Sequence, residues 1–469
     1  GTGTYVKRGA SAVYLGANGS TQNISLSAGG LIDVQQGTLR NEYSAGNWAN
    51  NLGSLNIAAG ADVNLWDSAG GITVDKLTGA GTVYAGYSGS GNAKLFTVGV
   101  ANGSGTFSGT LSDDGSKLNL VKKGTGAQTL SGSGSNSYTG LTRVEAGTLA
   151  AGAANVFSAN SVVTLLDVPG AILDLFGFNN SIGGLAGGGA NGGNVSLGAG
   201  VLTTGVANSD TTYAGAISGT GRVVKTGTGI QTLNSANTFT GGITLNAGGI
   251  TVGHGQALGT GALTFASNNT TLYAGASVTL TNNIALNTNG IISTPTSLTL
   301  TENGIISGVG SLTKAGVGTL VLGGQNTFSG GTLLNAGTLS FGNADALGTG
   351  SLTFVSNSIV QATANLNITN RVVINSGVTG TFDYGNYTMT NSGAISGAGS
   401  FIKTGNGSLS LTATNTFTGT MQINSGKVDF GTSGSVTPST IFLGYNTNDR
   451  GLMKVQNGNT LTISSSKGL

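Results

Sequence analysis

The sequence predicts an all-β protein, a right-handed parallel β-solenoid (β-helix) rod, and three observations carry that expectation. Glycine is abundant while charge is scarce, one motif recurs five times at long intervals, and each copy alternates apolar with polar residues over short runs. Glycine supplies 86 of 469 residues, far above the usual ~7%. Charged residues make up 7%, where ~25% is ordinary. Glutamate is confined to Glu42, Glu145 and Glu302, and strong helix formers are few, which argues against a helical enzyme. Glycine follows no third-residue period and there are three prolines, which excludes a collagen triple helix. With 38% apolar residues and a mean hydropathy of +0.16, the chain has the apolar surface that a disordered segment lacks.

The repeats are plain on inspection. Residues 225–248 read KTGTGIQTLNSANTFTGGITLNAG, residues 314–337 read KAGVGTLVLGGQNTFSGGTLLNAG, and residues 403–426 read KTGNGSLSLTATNTFTGTMQINSG. A fourth copy starts at Lys122 with two extra residues before Tyr138, and a more diverged fifth starts at Lys7. The aligned lysines Lys7, Lys122, Lys225, Lys314 and Lys403 are 115, 103, 89 and 89 residues apart. The motifs cover about 7–31, 122–149, 225–250, 314–339 and 403–428. Between the last three, Ala257-Leu258-Gly259-Thr260-Gly261 returns as Ala346-Leu347-Gly348-Thr349-Gly350.

Within a copy, runs of about five residues alternate at period two and end at Gly or Asn-Ala-Gly, the signature of short strands between tight turns. Stacking the copies exposes three apolar positions. Leu15, Leu130, Leu233, Leu322 and Leu411 share the first; Leu26, Val144, Leu245, Leu334 and Ile423 share the second. Leu31, Leu149, Ile250, Leu339 and Val428 share the third, and all are expected to face a core. An assumed ~22 residues per coil places four coils in an 89-residue unit. A two-sheet sandwich is the weaker reading, since it favours turns every ~8–12 residues within a closed domain of ~100 residues. With no linker or shift in composition, residues 1–469 read as a single continuous domain.

The pattern G-x-G-x-L-x-K-x-G-x-G-x-L-x-L-x-x-x-N-T-[FY]-[TS]-G-G-x-x-[LIV]-N-A-G-x-L strongly resembles the passenger-associated transport repeat, also called the autotransporter-associated β-strand repeat. The resemblance is specific at residues 217–250, 306–339 and 395–428 and recognisable at 124–149. It implies a bacterial β-solenoid that is secreted or displayed at the cell surface. A complete autotransporter also ends in a membrane β-barrel with apolar–polar alternation and aromatic girdles; the sequence up to Leu469 shows no such strands.

The chemistry-bearing residues are few. Eighteen Lys and Arg against sixteen Asp and Glu leave a net charge of +2, with no basic stripe to displace counterions from nucleic acid. No apolar stretch reaches the ~18–20 residues of a membrane span. One histidine, His254, and no cysteine rule out the usual zinc sites, and no metal or cofactor is expected. His254 reads as a turn residue, as does the one adjacent acidic pair, Asp113-Asp114. Gly187, Gly189 and Gly192 match G-x-G-x-x-G by chance in so glycine-rich a chain, and no helix follows them. The protein is therefore expected not to be an enzyme.

The repeat lysines read as isolated, solvated charges that keep the chain soluble and protect sheet edges. Asn136, Asn237, Asn326 and Asn415 read as partners of turn backbone, and Tyr138, Phe239, Phe328 and Phe417 as core residues beside those turns. Trp48, Trp66, Tyr84 and Tyr87 stand in the diverged first quarter, where they could face outward and stack on glycan. The expected function is an extracellular structural fibre or filament, with an adhesin binding glycan or matrix as the alternative. Gly1-Thr2-Gly3 aligns with Gly219-Thr220-Gly221, so the chain begins inside a motif. Joining Lys467-Gly468-Leu469 to Gly1 resembles the internal Asp75–Tyr84 segment. The expectation is self-association end to end through these residues, as a super-repeat or as a subunit with heterologous, non-closing contacts; an excerpt from a longer passenger accounts for the same ends.

Overall fold

The computed structural model describes all residues except 16–21, 43–45, 67–70, 87–92, 133–135, 432–434, 444–449 and 456–469. Every regular element among the described residues is a strand, from Thr4–Lys7 to Arg450–Val455. Named strands pair in parallel with the strand one coil away, as Thr4–Lys7 does with Leu31–Val34 and Leu312–Ala315 with Thr332–Leu334. The chain is thus a β-solenoid, in two compact units: Gly1–Thr244 with Gly259–Gly261, and Leu245–Leu258 with Ala262–Leu469.

In each unit a coil presents up to three strands, and strands stack in rows along three faces. The reason is the period-two pattern: Leu320 and Leu322 point inward while Thr319 and Val321 point out, and the same holds for Leu409 and Leu411. Each fully buried Leu or Val contributes ~1.5–3 kcal/mol, so a long stack of short strands can carry a fold that no single coil could. Of the three apolar positions predicted from the repeats, every member in the last four copies is buried. The second unit adds an aromatic stack, with Phe382 at 5.2 Å from Phe354 and 4.5 Å from Phe401, and Phe417 5.8 Å beyond Phe401.

The coil length changes what the repeat means. In the second unit Lys314, Leu334, Phe354 and Ile374 are stacked partners at 20-residue steps. The pairing of Val372 with Ile395 then brings Gly397 level with Ile374. Four coils therefore end 83 residues after Lys314, and Lys403 lies six residues further, in the next row. Lys314 belongs to the row of Leu312–Ala315 and Lys403 to that of Ser400–Thr404. The first unit behaves alike, with Lys122 in the row of Leu118–Lys122 and Lys225 in that of Arg222–Lys225. Successive repeats advance around the solenoid and form no stripe.

One defect recurs in the first unit. The strand Gly105–Phe107 meets the coil before it only through Gly79 and Phe107, so Leu77 loses its ladder partner on that side. Gln128, the register partner of Gly105, fills the gap: its Nε2 donates to Leu77 O at 3.0 Å and its Oε1 accepts Leu77 N–H at 3.1 Å. A side-chain amide has the donor and acceptor of a peptide group, so it can stand in for a missing strand. Gln231 repeats this, paired with Thr211 and donating to Leu185 O at 3.0 Å, beyond a strand that touches its neighbour only through Gly187 and Tyr213.

Candidate functional site

The repeat lysines do not lie in solvent. Lys7, Lys122, Lys225, Lys314 and Lys403 are all buried, at 0–2% exposure, which corrects the expectation of solvated edge charges. The cause is phase. In Leu312-Thr313-Lys314 the lysine falls on the inward beat of the strand, stacked between Ile292 and Leu334. Lys403 likewise sits between Phe382 and Ile423.

Each ammonium then turns into a cradle of backbone carbonyls. Lys314 Nζ donates to Ala315 O at 2.9 Å and Gly316 O at 2.6 Å in its own turn, and to Ala336 O at 3.2 Å on the next coil. Lys122 does so with Lys123, Gly124 and Ala146 at 2.6, 2.8 and 3.1 Å. Lys403 reaches Thr404, Gly405 and Ser425 at 2.5, 2.8 and 3.5 Å. The diverged first copy keeps the arrangement, with Lys7 on Arg8, Gly9 and Gln36, and Lys225 grips Thr226 and Gly227. Both turns need glycine: Gly316 and Gly337 take φ of 70° and 71°, a left-handed conformation that a side chain disfavours. Burial pushes Lys122, Lys225, Lys314 and Lys403 down to about 8, with Asp75, Asp210 and Asp383 opposing the shift at Lys122, Lys225 and Lys403.

The motif asparagines bridge coils. Asn326 Oδ1 accepts Ile306 N–H at 2.7 Å on the coil before, and its Nδ2 donates to Ala346 O at 2.6 Å on the coil after. Asn136 joins Leu111 N to Val156 O, and Asn415 joins Ile395 N to Ser435 O. Asn237 Oδ1 accepts Ile217 N–H at 2.7 Å. Tyr138, Phe239, Phe328 and Phe417 are buried beside them.

The aromatic residues of the first quarter separate. Trp48 does not face outward: it is 1% exposed, and its Nε1 donates to Asn41 Oδ1 at 3.1 Å. Burial of the indole is tolerated because that one donor finds a partner. Trp66 and Tyr84 stand instead by a row of register partners, Tyr14, Arg40, Asn64 and Tyr84. The Arg40 guanidinium lies 3.1 Å from the centre of the Trp66 ring and 5.5 Å from that of Tyr14, and it pairs with Glu42 at 3.0 Å. Trp66 takes φ 41°, a costly conformation for a bulky residue, with its N–H held by Asn64 Oδ1 at 2.8 Å. Burial and the neighbouring Asp62 carboxylate push the Tyr84 phenol up. Tyr14 and Arg40 were not singled out in the sequence; the outward phase they share with Tyr84 is the signal that finds them. Tyr87 lies outside the described residues.

At the chain start Gly1, Thr2 and Gly3 are exposed, with Gly1 O accepting Ser27 N–H and Gly3 O accepting Leu31 N–H. Lys467, Gly468 and Leu469 lie outside the described residues. His254 is an exposed turn residue whose Nδ1 accepts Gln256 N–H at 3.0 Å. Asp113 ties Leu118 N–H and Thr139 together. Among the described residues no cluster of three metal-ligating side chains occurs and no helix is long and apolar enough to cross a membrane.

Comparison with known proteins agrees with the repeat pattern. The passenger-associated-transport-repeat family matches at residues 120–151, 223–252, 312–341 and 401–429. A curated relative, the adhesin BmaC autotransporter of Brucella suis biovar 1 (strain 1330), is 48% identical over 103 residues, which is 22% of this chain and 3% of that protein. The chain therefore spans a small part of the length of that relative. No solved structure matches.

Proposed function

We propose that this chain, an autotransporter-passenger-like β-solenoid carrying passenger-associated transport repeats and lying outside the bacterial cell or on its surface, is a structural segment with no catalytic role. The observation that carries the reading is the use to which the motif puts its polar groups. The lysines bond turn carbonyls and the asparagines bond strand backbone on neighbouring coils. The recurring polar side chains of the motif hold coil to coil, and what the repeat builds is extent. The reading needs no cofactor. Incubation of the purified protein with a panel of polysaccharides tests it: no turnover is expected, and sustained product release would overturn it.

End-to-end stacking of copies into a filament is the finer form of this proposal. Its support is the stacking itself, in which strands such as Leu31–Val34 pair in parallel with a coil on either side, Thr4–Lys7 and Ser54–Ile57. An open parallel edge is a template for another coil, whether of the same chain or of a second copy. Electron microscopy of native material distinguishes them: a filament whose axial repeat equals the length of one chain supports stacking, and separate particles contradict it.

A second reading, adhesion to glycan, draws on the adhesin relative and on the Tyr14, Arg40, Trp66 and Tyr84 cluster. A glycan array tests it. Saturable binding that Trp66→Ala removes while the buried Trp48 is left intact supports adhesion through this cluster, and an array without binding contradicts it.

A further inference from the structure

Glu302 closes the strand Thr299–Glu302 and points into the core. Its register partners on the two adjoining coils are Leu280 and Leu322, and the residue is 0% exposed. Oε1 accepts Gly304 N–H at 2.8 Å, while Oε2 is buried with no hydrogen-bond partner. Among the described residues no charged side chain acts on it: burial pushes the carboxyl up to about 8, and only the Gly304 amide opposes. A carboxylate at this place would be an unpaired charge stacked between leucines, which is strongly disfavoured. A neutral acid costs far less.

The repeats show what the position requires. Eighty-nine residues later stands Asn391, 2% exposed, between Ile368 and Leu411, with Oδ1 accepting Gly393 N–H at 3.3 Å. Eighty-nine residues earlier stands Tyr213, buried, with its hydroxyl donating to Gly193 O at 2.7 Å. Both are uncharged at neutral pH. Glu302 is the member of the set whose ordinary value would leave it charged at neutral pH.

We propose that Glu302 is held as the neutral acid in the folded protein and acts as a proton latch, so that the second unit is tightest in acid and loosens as the medium turns alkaline. The direction follows from linkage. The unfolded chain ionises this carboxyl near its ordinary value, ~4.3, while the folded protein keeps the proton to much higher pH. Between the two the native state binds one proton more, and stability falls as pH rises. Lys122, Lys225, Lys314 and Lys403, lowered to about 8, stay protonated through most of that window and do not obscure it.

Urea unfolding of the full chain from pH 5 to pH 8 tests the latch, with Glu302→Gln as comparison. The folding equilibrium constant of the wild-type protein is expected to fall relative to the variant by up to ~tenfold per pH unit. Infrared difference spectroscopy at pH 6 is expected to show a protonated carboxyl band that Glu302→Gln removes. Matching pH profiles, or absence of that band, would overturn the proposal. If Glu302→Gln does not fold, Glu302→Asn, which copies Asn391, serves as the variant, and the wild-type infrared band is tested alone against pH.

Discussion

The two units place different residues at one position of the same motif. The first unit has Gln128 and Gln231 where the second has Leu320 and Leu409, and the coil beneath explains the difference. Beneath Leu320, its partner Leu300 still pairs with Val278 on the coil below, and beneath Leu409, Met389 still pairs with Leu366. Under Gln128 the ladder is broken opposite Leu77, and the amide reaches two coils to close it. A residue at an inward position is thus chosen by the hydrogen bonds the previous coil leaves unmade as much as by volume. Leucine suits a complete ladder, and glutamine repairs an incomplete one.

Exchanging the residues breaks the comparison from both sides. The larger effect is expected for Leu320→Gln, which loses ~1.5–3 kcal/mol of burial and leaves a buried amide unpaired at ~1–3 kcal/mol. A loss of about 3–5 kcal/mol should appear in urea unfolding of the full chain. Gln128→Leu should cost less, about 2–3 kcal/mol, since it adds apolar burial but strands Leu77 N–H and C=O. A Gln128→Leu protein as stable as wild type would show that the gap needs no repair.

The lysine cradle is common to both units and sharpens the comparison. Lys122→Met and Lys314→Met keep the stem and remove the ammonium, and each should cost about 1–3 kcal/mol, with the two within ~0.5 kcal/mol of each other. A large cost in one unit alone would mean that the cradles differ in role. The smallest effect is expected from pH. Because burial lowers these lysines to about 8, the folded protein sheds protons that the unfolded chain keeps to ~10.4. The unfolded state then binds more protons, and stability should rise between pH 8 and pH 10. The midpoint of the wild-type protein should therefore draw further above that of Lys314→Met over that range. A separation that stays constant or shrinks would contradict the shift.

Much of this was legible in the sequence. Period two and glycine-bounded runs suffice for strands, and five aligned copies suffice for a solenoid, because core positions such as Leu322 and Leu411 keep apolar identity while their neighbours drift. The lysines were misread because charge was given more weight than phase. Leu312-x-Lys314, Phe401-x-Lys403 and Val223-x-Lys225 all put lysine on the inward beat, and the glycine two residues later supplies the turn whose carbonyls receive it. The gap spanned by Gln128 could not be read, because its partner Leu77 lies 51 residues away and the intervening coil gives no local sign of a broken ladder. Trp48 was placed outward because its acceptor, Asn41, lies on another strand at no repeating interval.

The central claim is that the motif spends its polar groups on holding coils together, and amine labelling of the native protein read by mass spectrometry tests it most directly. Lys7, Lys122, Lys225, Lys314 and Lys403 should resist an acylating reagent at pH 7.5, while Lys123, whose side chain is 47% exposed, is modified within the same time. Repeat lysines that react as fast as Lys123 would contradict the account and return them to solvent.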